Sequence, residues 1–190
     1  MEGWLADLWS GAQRCGRWTR GPFGAGYKRG LDEKGGQSRP IGGRVRSIVQ
    51  TVSTELFDQF TERFECWNRG ELDLMQAMYA EDGVFDVSAV FADVEPQRGH
   101  EAMRRHWDEV WEVWRGLRLD PQEAFDVGDR RYVVEVRLWG KGKQSGVEVD
   151  QRFAFLYTLR SEDDRIIRAQ LFPDVAAAMS VAEASAAAPD

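Results

Sequence analysis

Between residues 147 and 159 apolar and polar side chains alternate. Val147, Val149, Gln151, Phe153, Phe155, Tyr157 and Leu159 fall on one side, and Glu148, Asp150, Arg152, Ala154, Leu156 and Thr158 on the other. A period of two marks a strand with one buried face. A slip of one residue would expose every aromatic ring, so the odd positions must face a core. Three further strand-like runs accompany it, at about 117–127, 131–140 and 165–172. Gly128-Asp129, Gly140-Lys141-Gly142 and Ser161-Glu162-Asp163-Asp164 separate the four, and connections this short predict an antiparallel meander.

Upstream of about residue 116 the period is 3.6. Leu56, Phe57, Phe60, Phe64 and Trp67 form one apolar stripe, with Ser53 or Thr54 as the cap and Gly70 as the stop. A shorter helix is expected from Asp73 to Tyr79, a strand from Gly83 to Val87, and a loop through Pro96. Met103, Trp107, Val110, Trp111 and Trp114 share one sector of a helix expected from His100 to Arg115, ended by Gly116. The order is α-α-β-α-β-β-β-β. Helices come mostly first and strands last, which predicts an α+β fold: a cone-shaped, strongly curved antiparallel or mixed sheet wrapped around N-terminal helices.

Residues 1–45 differ from the rest. They hold 11 of the 19 glycines and 8 Lys/Arg against 4 Asp/Glu, leaving 17 against 28 for the remainder. Their apolar residues have no sustained period, so the segment is expected to be a disordered Gly-rich extension ahead of a domain over 46–180. Residues 181–190 are expected to be a flexible Ala-rich tail. The net charge of −7 argues against nucleic acid as a partner. No apolar run approaches the roughly 20 residues of a membrane helix, and no secretory signal pattern opens the chain, so a cytoplasmic protein without a membrane partner is expected. Cys15 and Cys66 make no disulfide framework, and two histidines do not make a metal centre. No glycine pattern matches a phosphate cradle, so no cofactor is expected.

Several local motifs then occur in a characteristic order: Trp67-Asn68-Arg69-Gly70-Glu71-Leu72-Asp73, Met78-Tyr79-Ala80-Glu81-Asp82, Arg98-Gly99-His100-Glu101-Ala102, Gly128-Asp129-Arg130, Gly146-Val147-Glu148-Val149, and Phe153 to Arg160 ahead of an acidic turn. Over about residues 50–180 the chain resembles the SnoaL-like, polyketide-cyclase-related branch of the nuclear-transport-factor-2-like superfamily. The resemblance implies a cone-shaped domain, usually dimeric, with a mainly apolar pocket at the cone's mouth. It leaves the chemistry open, because isomerases, dehydratases, cyclases, epoxide hydrolases and non-catalytic binders share the fold. Ketosteroid isomerases of the superfamily use a carboxylate base and a Tyr/Asp donor pair. Here the base position falls on Val87 and the donor positions on Arg63 and Phe155, so that mechanism is not implied.

The residues themselves nominate a site. Phe64, Trp67, Tyr79, Phe85, Trp107, Trp111, Gln151, Phe155 and Tyr157 are expected to line one cavity for a small apolar or polyketide-like molecule. Gln151 and Tyr157 would either orient that ligand or satisfy hydrogen bonds within a core. Three groups are candidates for proton transfer in an isomerase, cyclase or hydratase. Glu123 faces inward if no bulge follows Pro121. Asp86 is either an exposed edge carboxylate or, through a bulge, a pocket acid. His106 borders the Met103–Trp107–Trp111 stripe and is either a proton shuttle or a structural histidine. The alternative is a non-catalytic ligand-binding or dimerisation module. On the outward face Glu135, Arg137, Trp139, Glu148, Asp150, Arg152, Arg168, Gln170 and Phe172 are expected to form a homodimer interface, or else to pair their charges within one open sheet.

Overall fold

The first long helix, α1 (Thr54–Asn68), begins where Ser53 turns its hydroxyl back to accept from the Leu56 amide at 3.4 Å. It ends at Gly70, whose φ of +73° suits glycine. These features belong to a computed structural model that describes residues 50–187. The Gly-rich segment 1–45 lies outside the described residues, as do residues 188–190. Ahead of α1 a two-residue strand, β1 (Gln50–Thr51), pairs with the edge of the sheet. After it come α2 (Leu72–Ala77), β2 (Tyr79–Asp86), β3 (Gln97–Arg98), α3 (Gly99–Val113), β4 (Trp114–Asp126), β5 (Arg131–Gly142), β6 (Glu148–Leu159), β7 (Ile166–Phe172) and α4 (Val175–Ala187).

Among the described residues seven strands form one sheet in the order β1-β4-β5-β6-β7-β2-β3. All neighbours are antiparallel except β2 and β7, so the sheet is mixed. The meander over β4 to β7 is the one expected from its short turns. α1 and α3 lie against the inner face, with α1 packing on β4 and α3 on β2. Asn68 fastens α1 to β4: its amide nitrogen donates to the Leu119 carbonyl at 3.1 Å, and its oxygen accepts from the Leu119 amide at 2.9 Å.

The boundaries shift at both ends of the expected helices. Tyr79 is not the end of a helix but the first residue of β2, and Trp114 is extended (φ −105°, ψ 146°) and opens β4. The β2–β7 ladder is irregular between Tyr79 and Val84. A Cβ on Gly83 would meet the carbonyls of Ala80 and Ile166 at 3.0 and 3.1 Å, so glycine is what fits there.

A second irregularity reverses part of β4. Pro121 has no amide to donate, and the register slips by one residue between Pro121 and Glu123. Phe125 and Val127, which strict alternation with Glu123 would place on the inner face, instead join Val133, Ala154, Leu156 and Phe172 on the outer one. That outer cluster is covered by α4 through Ala178 and Ala182, which are fully buried or nearly so. The flexible tail expected from residue 181 is therefore helical through Ala187. Small alanine side chains let the helix approach the sheet closely, and the Arg131 Nη1 donates to the Ala182 carbonyl at 2.9 Å.

Candidate functional site

The inner face is built from rings. Phe64 and Trp67 of α1, Tyr79 and Phe85 of β2, Trp107 and Trp111 of α3, and Phe155 and Tyr157 of β6 form one connected aromatic cluster. Successive centroids are 5.8 Å for Trp111–Trp67, 6.4 Å for Trp67–Trp107 and 5.8 Å for Trp107–Phe85. The chain continues at 6.3 Å for Phe85–Phe155, 5.5 Å for Phe155–Tyr157 and 6.5 Å for Tyr157–Phe64. Tyr79 joins through Trp107 at 5.6 Å. Most of these pairs are tilted or edge-on, the arrangement ring quadrupoles favour. Eight of the nine residues expected at the wall thus come together.

Gln151 does not join them. It has the register of an inward residue, opposite Leu138, but it is exposed. It lies toward the open end of β6, where Leu138 is only half-buried and the covering rings have ended.

The three proton-transfer candidates separate. Glu123 is exposed, because the slip after Pro121 places it opposite Glu135. Asp86 is neither a pocket acid nor an exposed edge carboxylate. It is buried and points away from Phe85, accepting from the Ser88 hydroxyl at 2.6 Å, the Ser88 amide at 3.1 Å and Arg168 Nη2 at 3.1 Å. Burial pushes its carboxyl up, but the hydrogen bonds from Ser88 and the Arg168 charge outweigh burial and hold it below the ordinary value. His106 alone stays with the rings, 5.8 Å from Phe85 and 8% exposed. Burial lowers its pKa, so the imidazole is neutral at pH 7 and able to accept a proton. His100 is elsewhere, its Nε2 donating to the Tyr79 carbonyl at 3.1 Å.

Two rings outside the expected wall join it, and three donors around it lack acceptors. Phe60 and Tyr132 extend the cluster, Phe60 lying 5.8 Å from Tyr157 and 5.7 Å from Tyr132. Helical and strand parity place both on the inner side. Arg63 Nη1, Trp67 Nε1 and Trp111 Nε1 are buried and meet no acceptor. The sequence signal for Arg63 was its position three residues after Phe60 and four before Trp67. Tyr79 and Tyr157 are held protonated by burial, which pushes both phenols well above their usual value, with the Arg63 charge opposing the shift in each. Cys66 is buried, and burial pushes its thiol up. Among the described residues no group of three His, Cys, Asp or Glu side chains is placed to hold a metal ion. Likewise, no helix there is long and apolar enough to cross a membrane.

The outward charges pair within the sheet. Arg137 donates to both carboxylate oxygens of Asp150 at 2.7 and 2.6 Å, Arg152 pairs with Glu135 at 3.0 Å, and Lys141 with Glu148 at 3.1 Å. Trp139 remains 43% exposed, its Nε1 donating to Asp120 at 3.3 Å. Phe172, expected as an exposed anchor beside it, is buried under α4.

Comparison with solved structures places this architecture. A hypothetical protein from Catenulispora acidiphila with a ketosteroid isomerase-like fold, in complex with trimethylamine, superposes with a TM-score of 0.54 at 14% identity, over 70% of this chain and 95% of that one. A putative polyketide cyclase from Xanthomonas campestris gives 0.52 at 18%, over 66% and 95%. TerC co-crystallised with polyporic acid gives 0.54 at 19%, over 69% and 99%. At these identities the likeness is one of fold. No curated protein matches the chain. The family model for the SnoaL-like domain matches residues 60–169, more than half of the chain and all of the aromatic wall, so the chain belongs to the SnoaL-like domain family.

Proposed function

We propose that this domain binds a small, largely apolar, polyketide-like molecule against the inner aromatic wall, with His106 as its proton-transfer group. The observation that carries the reading is the convergence of eight rings from four elements on one buried surface, with a neutral imidazole at its edge. A ligand seated there would lose water on every side. An imidazole kept neutral by burial is then suited to abstracting a proton next to a carbonyl or returning one to an enol. Fold relatives that include a putative polyketide cyclase are consistent with that class of reaction.

A second reading, a non-catalytic binder, is favoured by one observation. Neither candidate carboxylate faces the rings, so His106 would work without an acidic partner from that set. Two measurements separate the readings. Tryptophan fluorescence titrated with 2-naphthamide is expected to quench saturably, because Trp67, Trp107 and Trp111 belong to the wall. Linear quenching would refute both readings. In D2O, α-proton exchange of 2-tetralone is expected to exceed the buffer rate and to fall about 100-fold in His106→Gln. Binding without accelerated exchange would leave the binder.

Self-association through the outer face forms part of the same proposal. An open depression there is lined by Arg137, Trp139, Lys141, Glu148 and Asp150. With the charges already paired within the sheet, Trp139 is the side chain left to anchor a second copy.

A further inference from the structure

The middle of the buried stripe of α1 holds an arginine. Phe60, Phe64 and Trp67 on either side of it are all buried, and an apolar residue would fit the helical pattern at position 63. The guanidinium instead lies over the Phe60 ring, its carbon 5.5 Å from the centroid. Its Nη1 is buried with no acceptor, and among the described residues Arg63 enters no ion pair. Stacking on a ring accounts for the flat shape of the group but leaves the buried Nη1 without an acceptor.

Other donors in the aromatic cluster also lack acceptors. Trp67 Nε1 and Trp111 Nε1 are buried donors without acceptors. An indole has no lone pair to offer and a guanidinium none either. The phenols of Tyr79 and Tyr157, kept protonated by burial, can donate as well as accept, and the Arg63 charge acts on both. Arg63 as a whole is half-buried, but the enclosed nitrogen is left without a partner, and a buried donor left unpaired is costly.

We propose that Arg63 is the anchor for an anionic oxygen of the ligand, so that the molecule this wall accepts is an aromatic or polycyclic acid, with a carboxylate or an ionised enol or phenol directed at α1. The inference rests on the reading that the inner wall binds a ligand, and it specifies that ligand's charge. Trp67 and Trp111 would donate to neutral oxygens farther along the molecule, while His106 lies at the Phe85 edge of the wall, where a proton is exchanged. Arginine suits the task because its plane can stay stacked on Phe60 while its edge meets two oxygens.

The test compares near-isosteric probes, 2-naphthoate and 2-naphthamide, by tryptophan quenching at constant ionic strength. The wild-type protein is expected to bind 2-naphthoate at least tenfold tighter. Arg63→Met, which keeps a long apolar stem, is expected to lose that preference while binding 2-naphthamide within threefold of wild type. Its melting temperature is expected to hold or rise, since the buried nitrogen without an acceptor is gone. Arg63→Lys, which keeps the charge without the fork, is expected to retain part of the preference. Equal affinities for the two probes in the wild type would overturn the proposal and leave the ligand-binding reading standing. Binding of neither probe would overturn both. A lower melting temperature in Arg63→Met with the preference intact would make Arg63 a brace of the fold and overturn the proposal.

Discussion

Arg168 reaches diagonally across the parallel pair of strands β7 and β2 to meet Asp86, its Nη2 3.1 Å from Oδ2, although its own register partner is Val84. The same carboxylate caps the turn that leaves β2 by accepting twice from Ser88. Asp86 therefore ties strand to strand and strand to loop. Asp86→Asn is expected to cost about 1–3 kcal/mol, the usual worth of hydrogen bonds to a charged group, in urea unfolding at pH 7. Its folded pKa is depressed, so the stabilisation is present above the unfolded carboxylate value near 3.8 and is lost as pH falls through the lower folded value. The gap between wild type and variant should close below about pH 4. A gap of equal size at pH 7 and pH 3 would contradict the ion pair.

His106 titrates in a different window. Burial against Phe85 disfavours its charged form, so the folded pKa lies below the ordinary 6.5. For a histidine depressed in this way, folding is unpenalised above pH 6.5, and stability declines as pH drops below it toward the folded value. His106→Phe keeps a ring in the same space and removes the titration. The wild type is expected to lose melting temperature between pH 6.5 and 5, whereas His106→Phe holds steadier over that interval. Parallel curves for the two proteins would show that His106 is not the buried group responsible.

The sheet and the two long helices were legible because each carries its pattern over many residues. The aromatic alternation of β6 and the stripe of α1 each set one inward face, and the structure has both; what the alternation did not show is that Ala154 and Leu156, on the other face of β6, are buried too. What was not legible depended on single residues that break a pattern. Pro121 withdraws one amide and thereby turns Phe125, Val127 and Glu123 to faces that strict alternation denies them. Alanine gives little signal of burial, so the docking of α4 over Phe172 could not be read from 175–187. Among the site residues the rings followed from parity. The partner of Asp86 lies 82 positions away in sequence, and no local rule reaches that far. The unpaired donors of Arg63, Trp67 and Trp111 are visible only once the acceptors around them can be searched.

The two tryptophans of α3 are expected to behave differently. Trp107 is 1% exposed, enclosed by Trp67, Tyr79 and Phe85, and Trp107→Ala should cost about 3–5 kcal/mol as a large core truncation. Trp111 is half-buried and rests on Trp67 and on the Gly70 backbone, where an added Cβ would stand 3.7 Å from its ring. Trp111→Ala should cost roughly half as much, about 2 kcal/mol, and weaken 2-naphthamide binding. Urea unfolding gives the first quantity and fluorescence titration the second. Equal destabilisation by the two substitutions, with binding retained in Trp111→Ala, would make Trp111 ordinary core.

The outer face offers the last prediction. Trp139 is 43% exposed between two intrasheet ion pairs, Arg137–Asp150 and Lys141–Glu148. Exposed pairs of this kind add little to the stability of one chain, but they remove free charge from around an apolar ring. A second copy docking across a two-fold axis would bury that ring twice. Substituting Arg152 is a poor test, because its pairing with Glu135 would be disturbed in a monomer as well. Trp139→Lys is cleaner: within one chain it loses only a half-exposed ring and stays near Asp120, so it should cost under about 1 kcal/mol. Sedimentation at micromolar concentration is expected to give twice the chain mass for the wild type and the chain mass for Trp139→Lys, since a lysine would be desolvated without a partner at such an interface. A wild-type monomer, or a dimer indifferent to the substitution, would exclude this face as the contact.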